Sequence, residues 1–195
     1  MSPESRTVRA FVAIQLPEPV REALRGIQSE MRETLALRFA TWTRASNLHL
    51  TLRFLGNLDA AKLPELVRRL RESIAGFGPL ELCCERLGCF PDLRFPRVVW
   101  AWVHDPAERL SDLANCVNVA VEGFVEQPAE ARFVGHVTLV RPKQIKRAEA
   151  ERLAEFVQRA VTRKFGGWTC REVELIQSEL SPTGSRYTTL DVFRL

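Results

Sequence analysis

The chain has 195 residues and a formal net charge of +4, a length that fits one domain or one compact unit of two similar lobes. With 46% hydrophobic and 27% charged residues, the composition is that of a globular protein, and no apolar run approaches the roughly 18 residues a membrane helix requires. A charge of +4 is too small to argue for wrapping long nucleic acid.

In chain order, residues 1–9 lack the apolar stretch and small-residue cleavage site of a secretory leader, so the expected location is the cytoplasm. Residues 8–16 form a short apolar strand closed by Pro17. Pro19 then suits a helix start, and Val20, Leu24, Ile27, Met31 and Leu35 repeat along one helical face. Residues 47–54 alternate as a strand. Asp59 can cap a helix whose stripe is Leu63, Leu66, Leu70 and Ile74. Residues 80–87 and 97–103 read as paired strands around a turn-rich stretch at 88–96. Helical spacing runs over 106–121 through Leu110, Leu113, Val117 and Val121. A loop rich in Glu, Gln and Pro leads to a strand at 135–140. An amphipathic helix over 146–165 turns Leu153, Phe156, Val157, Ala160 and Val161 inward. Two last strands, 170–178 and 187–195, flank a turn at 181–185. Intermixed helices and strands, several joined by short turns, make the class α+β with antiparallel sheets.

Lys62, Lys143, Lys146 and Lys164 are the only lysines, and every other basic side chain is arginine. Arginine's planar fork suits phosphate oxygens, although a GC-rich genome would produce the same bias. Cys83, Cys84, Cys89, Cys116 and Cys170 form no C-x-x-C pair and lie near no histidine. Their odd number and irregular spacing suggest reduced thiols in a reducing compartment, with no zinc site.

The most informative feature is a pattern that occurs twice, His49-Leu50-Thr51-Leu52 and His136-Val137-Thr138-Leu139, using two of the three histidines in the chain. In a strand, alternate residues share a face. His49 and Thr51 therefore project together while Leu50, Leu52 and Phe54 face the core, and His136 and Thr138 project opposite Val137 and Leu139. Two such strands brought together would frame a cleft with two imidazoles opposed and two hydroxyls between them. That constellation suits phosphodiester cleavage. One histidine can take a proton from the attacking oxygen and the other can protonate the leaving oxygen, near neutral pH. The threonine hydroxyls can donate to the non-bridging oxygens where charge builds. A strained five-membered cyclic phosphate needs no metal for attack by water, and no cofactor is implied.

By the same parity Arg53 shares the face of His49 and Thr51 and can reach the phosphate or form a surface salt bridge. Arg141 has the opposite parity from His136 and reaches the cleft only if its strand bends or bulges. Trp42, Phe133 and Tyr187 flank the motifs or the late turn and could stack on a base, though aromatic side chains more often fill a core. His104 lacks the motif and reads as a solvated loop residue.

The stretch Asn47-Leu48-His49-Leu50-Thr51-Leu52-Arg53-Phe54-Leu55-Gly56 resembles the first signature of the two-histidine phosphoesterases, in their RNA 2′,3′-cyclic phosphodiesterase (2′–5′ RNA ligase, LigT-like) branch. Gly135-His136-Val137-Thr138-Leu139-Val140-Arg141 is similar to the second signature. The opening strand Phe11-Val12-Ala13-Ile14, the strand Val98-Val99-Trp100 and the late Gly184-Ser185-Arg186-Tyr187 also have counterparts, so the resemblance covers nearly the whole chain. It implies a bilobal, pseudo-twofold fold in which two antiparallel sheets line a central cleft with helices outside. It further implies His49 as proton donor, His136 as the acceptor that activates water, and a 2′-phosphomonoester as product, with reverse 2′–5′ ligation of RNA possible. One departure stands out. Relatives often carry Arg/Lys-Pro before the second histidine, where this chain has Val134-Gly135.

The implied partners are RNA ends or nucleotides bearing a 2′,3′-cyclic phosphate, with no membrane and no obligate protein partner. Three other readings stay open. They are an enzyme for small cyclic phosphates (a cyclic nucleotide or ADP-ribose cyclic phosphate), a silent RNA-end binding module, and a His–His metal site, which lacks the usual third ligand.

Overall fold

A computed structural model describes residues 6–35, 37, 39–125, 127–128, 132–182 and 184–195. Part of the N-terminal reading (residues 1–5) and part of the Glu/Gln/Pro loop (126 and 129–131) lie outside the described residues.

The chain runs β1 (Thr7–Gln15), α1 (Glu18–Thr34), β2 (Ala40–Trp42), a 3-10 turn (Ala45–Asn47), β3 (His49–Asp59), a second 3-10 turn (Ala60–Lys62) and α2 (Leu63–Ile74). It continues through β4 (Leu80–Phe90), β5 (Val98–His104), α3 (Leu110–Ala120), β6 (His136–Pro142), α4 (Arg147–Arg159), β7 (Lys164–Cys170), β8 (Glu172–Ser181) and β9 (Gly184–Arg194). The strands form two sheets, ordered β3-β1-β8-β9 and β2-β6-β5-β4-β7, with every pairing antiparallel.

The two sheets repeat one plan. Setting β2 aside, β3-β1-β8-β9 corresponds to β6-β5-β4-β7, with a histidine-bearing strand at the head of each. Each half exchanges strands with the other: β4 follows the first half's helix α2 yet pairs with β5, and β8 follows α4 yet pairs with β1. The fold is therefore α+β, bilobal and pseudo-twofold.

The helices pack outside according to their apolar stripes. Val20, Leu24, Ile27 and Met31 of α1 are buried, as are Leu66, Leu70 and Ile74 of α2. α1 and α4 lie on the second sheet, whereas α2 and α3 lie on the first. Gln28 on the buried face of α1 is only 3% exposed. It donates to the carbonyls of Thr43 at 2.9 Å and Leu139 at 2.8 Å, while the Thr43 N–H donates to Leu139 O at 2.9 Å. This buried amide thus fastens the approach to β3 onto β6, tying one half to the other.

Several boundaries differ from the sequence reading for identifiable reasons. α3 starts at Leu110 rather than 106 because Asp105, which is buried, accepts from the N–H groups of Arg109 (2.8 Å) and Leu110 (2.9 Å) and caps the helix there. α4 ends at Arg159, and residues 164–170, expected in part as its continuation, instead form the edge strand β7. Phe165, expected at the helix end, is instead the buried extra residue of a β-bulge against β4. Val161, expected inward, is 60% exposed beyond the helix end. β2 was unforeseen, being three residues long.

All five cysteines are free thiols. Burial pushes the Cys84 and Cys89 thiols up to about 12 and that of Cys170 up to about 11, so these three act as small core residues. Among the described residues no helix is long and apolar enough to cross a membrane, and no three His, Cys, Asp or Glu side chains cluster as a metal site.

Candidate active site

β3 and β6 meet at the seam between the sheets. Their outward residues enclose a cavity of about 110 Å³ lined by His49, Thr51, Phe54, His136, Thr138 and Arg141, with Thr43, Asn47 and Tyr187 completing the wall.

Both histidines are held in the same way. His49 Nδ1 donates to the Asn47 carbonyl at 2.7 Å, and His136 Nδ1 donates to the Val134 carbonyl at 2.8 Å, each two residues upstream. A carbonyl can only accept, so the proton is fixed on Nδ1 and Nε2 is left as the nitrogen that titrates. Each ring is also wedged between two aromatics. Phe11 (4.7 Å between centroids) and Tyr187 (5.4 Å, edge-on) flank His49, while Phe90 (5.0 Å, edge-on) and Trp100 (6.1 Å) flank His136. The Trp100 ring reaches His136 by lying flat on Gly88, where any Cβ would come within 2.3 Å of it.

A matching irregularity shapes both motifs. In β3, Val12 pairs with Arg53 and Ala13 with Thr51, so Leu52 is an extra residue. In β6, Val99 pairs with Val140 and Trp100 with Thr138, so Leu139 is extra. Each bulge lies three residues past its histidine and exchanges the two faces beyond it. The residue five past each histidine, Phe54 or Arg141, therefore rejoins the cavity side.

The sequence profile of the LigT-like phosphoesterases matches residues 14–100 and 102–187. The chain belongs to the LigT-like phosphoesterase family. The RNA 2′,3′-cyclic phosphodiesterase of Methanothermobacter thermautotrophicus is 34% identical over 188 residues, covering 96% of this chain and 99% of that one. The Aquifex aeolicus protein of the same name is 31% identical over 192 residues, covering 97% and 98%. A crystal structure from Thermus thermophilus superposes with a TM-score of 0.78 at 29% identity, covering 96% of this chain and 97% of that one. E. coli LigT complexed with 3′-AMP superposes with a TM-score of 0.74 at 25% identity, covering 97% and 99%.

In this LigT-like phosphoesterase the residues singled out from sequence separate into three groups. His49, His136, Thr51, Thr138, Arg141 and Tyr187 line the one cavity. Arg141 joins them through the Leu139 bulge, the condition its parity required. Arg53 and Phe133 line an adjoining cavity of about 170 Å³ instead, which also touches Thr51 and His136. The guanidinium of Arg53 is turned to the loop, donating to the carbonyls of Gln127 and of Pro128 (3.0 Å). The Leu52 bulge is the physical reason: it moves Arg53 out of the histidine face and brings Phe54 in. Phe54, expected in the core, is 55% exposed at the cavity. Trp42 lies apart, packed against the core under the Arg32 guanidinium at 4.5 Å, so its ring is already covered. His104, expected in a loop, ends β5, stacked on Trp102 at 4.0 Å and 3.4 Å from Glu85. Asn47, Thr43 and three of the four flanking aromatics, Phe11, Phe90 and Trp100, were missed. Superposing the two motifs would have marked Phe54 as the counterpart of Arg141.

Burial holds the His49 imidazole below its ordinary value of 6.5. The Asn47 carbonyl pulls the other way, and the positive charge of His136 lowers it further.

Proposed function

We propose that this chain is an RNA 2′,3′-cyclic phosphodiesterase that opens the terminal ring to a 2′-phosphomonoester, with His49 as proton donor and His136 as base. The observation that carries the reading is the pair of imidazoles, each locked through Nδ1 to a carbonyl, lining one cavity with two threonines and an arginine. At about 110 Å³ that cavity is far below the roughly 300 Å³ at which small-molecule pockets begin. It suits a phosphate group and excludes a nucleoside. Relatives named RNA 2′,3′-cyclic phosphodiesterase, and a 3′-AMP complex of E. coli LigT, support the same substrate class.

The spaces on either side of the cavity support the assignment of roles. In-line attack puts the water and the leaving oxygen on opposite sides of phosphorus, so the nucleoside must lie on the donor's side. The cavity shared with His49 holds about 700 Å³, whereas the one shared with His136 holds about 170 Å³. The smaller is lined by Asn118 and Arg53, whose Oδ1 and Nε are buried without a hydrogen-bond partner among the described residues. A polar site of that kind suits water. His136 Nε2 then removes a proton from the water as its oxygen forms the new bond to phosphorus. The P–O3′ bond breaks, its electron pair stays on O3′, and O3′ takes the proton from His49 Nε2. Proton exchange with solvent resets the pair. Thr51 and Thr138 donate to the non-bridging oxygens, and the Arg141 guanidinium offsets their charge. Run in the same direction with an RNA 5′-hydroxyl in place of water, these steps join two RNA ends through a 2′–5′ bond: the 5′-oxygen bonds phosphorus as P–O3′ breaks.

We further propose that the chain works as one two-lobed unit, since the catalytic pair spans both lobes. Its free thiols suit a reducing compartment such as the cytoplasm.

The deciding experiment incubates the protein with an oligonucleotide ending in a 2′,3′-cyclic phosphate, with and without EDTA, and identifies the product. The expected result is a 2′-phosphate formed equally fast in EDTA. An excess of 3′-phosphate would overturn the regiochemistry, and an unopened ring would overturn the activity.

The pH behaviour provides a second check. In the free protein the His49 ring titrates below 6.5 and is therefore mostly neutral at pH 7. A phosphate anion in the cavity stabilises the imidazolium, so binding should draw in a proton and raise that value. NMR titration of the ring protons with and without inorganic phosphate measures both. A value that phosphate leaves unmoved contradicts the donor role, whereas a free value at or above 6.5 contradicts the dominance of burial at this ring.

A further inference from the structure

The large cavity on the His49 side offers more than a terminal nucleoside needs. It lies between the turn that enters β3 and the β8–β9 hairpin, and it opens into the catalytic cavity through the shared residues Asn47, His49 and Tyr187. Its walls are joined across the lobe. Asn47 Nδ2 donates to the Ser185 carbonyl at 2.8 Å, and the Arg44 guanidinium lies against Gly184, where a Cβ would sit 3.4 Å from it. On the inner side Gln15 and Thr189 are both held by Glu174, at 3.2 Å and 2.8 Å, presenting fixed polar edges. The outer side carries Arg44 and Arg186 against one carboxylate, Glu179, which stands opposite Arg186 in the hairpin register.

Resting on the function proposed above, we infer that this cavity is a subsite for the RNA chain on the 5′ side of the reacting nucleotide, with Arg44 and Arg186 receiving its first internucleotide phosphate. A cyclic mononucleotide without a 5′-phosphate places its one charge between the histidines and brings no second anion to the two outer arginines. A chain end supplies a second phosphate one nucleotide away. At about 700 Å³ the space lies well inside the range of built ligand sites, roughly 300–1,000 Å³. Its fixed polar edges reduce the ordering cost of holding a ribose and base. The enzyme therefore favours RNA ends over small cyclic nucleotides.

The test compares kcat/KM for a nucleoside 2′,3′-cyclic phosphate lacking a 5′-phosphate with that for a dinucleotide ending in the same group. Wild-type protein should favour the dinucleotide by at least about tenfold, the order expected of charge-assisted contacts to one phosphate. Its rate on the dinucleotide should also fall more steeply with salt. Arg186→Ala and Arg44→Ala should each bring the ratio of the two substrates toward one, whereas Arg152→Ala, on α4, should not. A wild-type ratio near one with parallel salt dependence overturns the subsite, and so do arginine variants that keep the ratio. Failure to open either substrate overturns the activity itself, a different result from equal turnover of both.

Discussion

His136→Ala should lower kcat/KM on an RNA 2′,3′-cyclic phosphate by at least about a hundredfold, and His49→Ala by a similar factor, the usual worth of a positioned acid or base. The double variant should be little worse than either single one, because two groups that act in one proton relay do not contribute independently. A sharper comparison uses the side of the ring each substitution keeps. His136→Asn places an amide N–H where Nδ1 donates to the Val134 carbonyl but has nothing in place of Nε2. It should therefore preserve the local structure and still lose the rate. His136→Gln reaches toward the Nε2 position and gives up the carbonyl contact. If His136→Asn retains most of the activity with an unchanged melting temperature, the ring serves as a structural tie to Val134 and the acid–base account fails. Rates and thermal unfolding measured on the same preparations separate the two outcomes. Unfolding should change little in the Asn variant, since the rings are only half-buried and stand on the faces of β3 and β6 turned away from Leu50, Leu52, Val137 and Leu139.

Those alternating leucines and valines are also why so much of the site was legible. The doubled His-x-Thr pattern gives strand parity, and parity predicts that each imidazole projects with its own hydroxyl; the meeting of β3 and β6 brings the two pairs together. The helices α1 and α2 were equally readable, because their apolar stripes repeat over three turns or more. What escaped was everything that depends on register. The bulges at Leu52 and Leu139 are properties of strand pairing, set by how β1 and β5 lie alongside, and a single strand's alternation contains no trace of them. They reversed the expected places of Arg53 and Phe54 and brought in Arg141. The aromatic walls were hidden for a related reason. Phe11, Phe90 and Trp100 come from strands far from the motifs in sequence, and only the sheet order places them beside the histidines. β7 was misread because Gly166-Gly167 is weak strand sequence; its pairing with β4 overrides that preference.

The Val134-Gly135 step before the second histidine is where this chain departs from the motif it resembles, and the packing there leads to the second large expected effect. A Cβ on Gly135 would stand 2.3 Å from the Val103 carbonyl oxygen and 3.0 Å from Leu110 Cδ2. The Leu110 methyl can rotate, but the carbonyl belongs to β5, and the Gly135 carbonyl in turn accepts from the Val103 N–H at 2.9 Å. Gly135→Ala must therefore push the start of β6 away from β5. The cost is that of overpacking against backbone, about 1–3 kcal/mol, which for a chain of this size lowers the melting temperature by roughly 2–12 °C. Activity should suffer out of proportion. The displaced backbone includes Val134, whose carbonyl orients His136, and a misplacement near 1 Å can cost about a hundredfold in rate. The expected signature is a folded protein whose kcat drops by about tenfold or more while KM for a short RNA end stays nearly constant, because Thr51 and the His49-side cavity are untouched. A variant with parental melting temperature and parental kcat would mean that β6 has room to spare at its entry, and that the glycine is not what lets the second histidine reach its place.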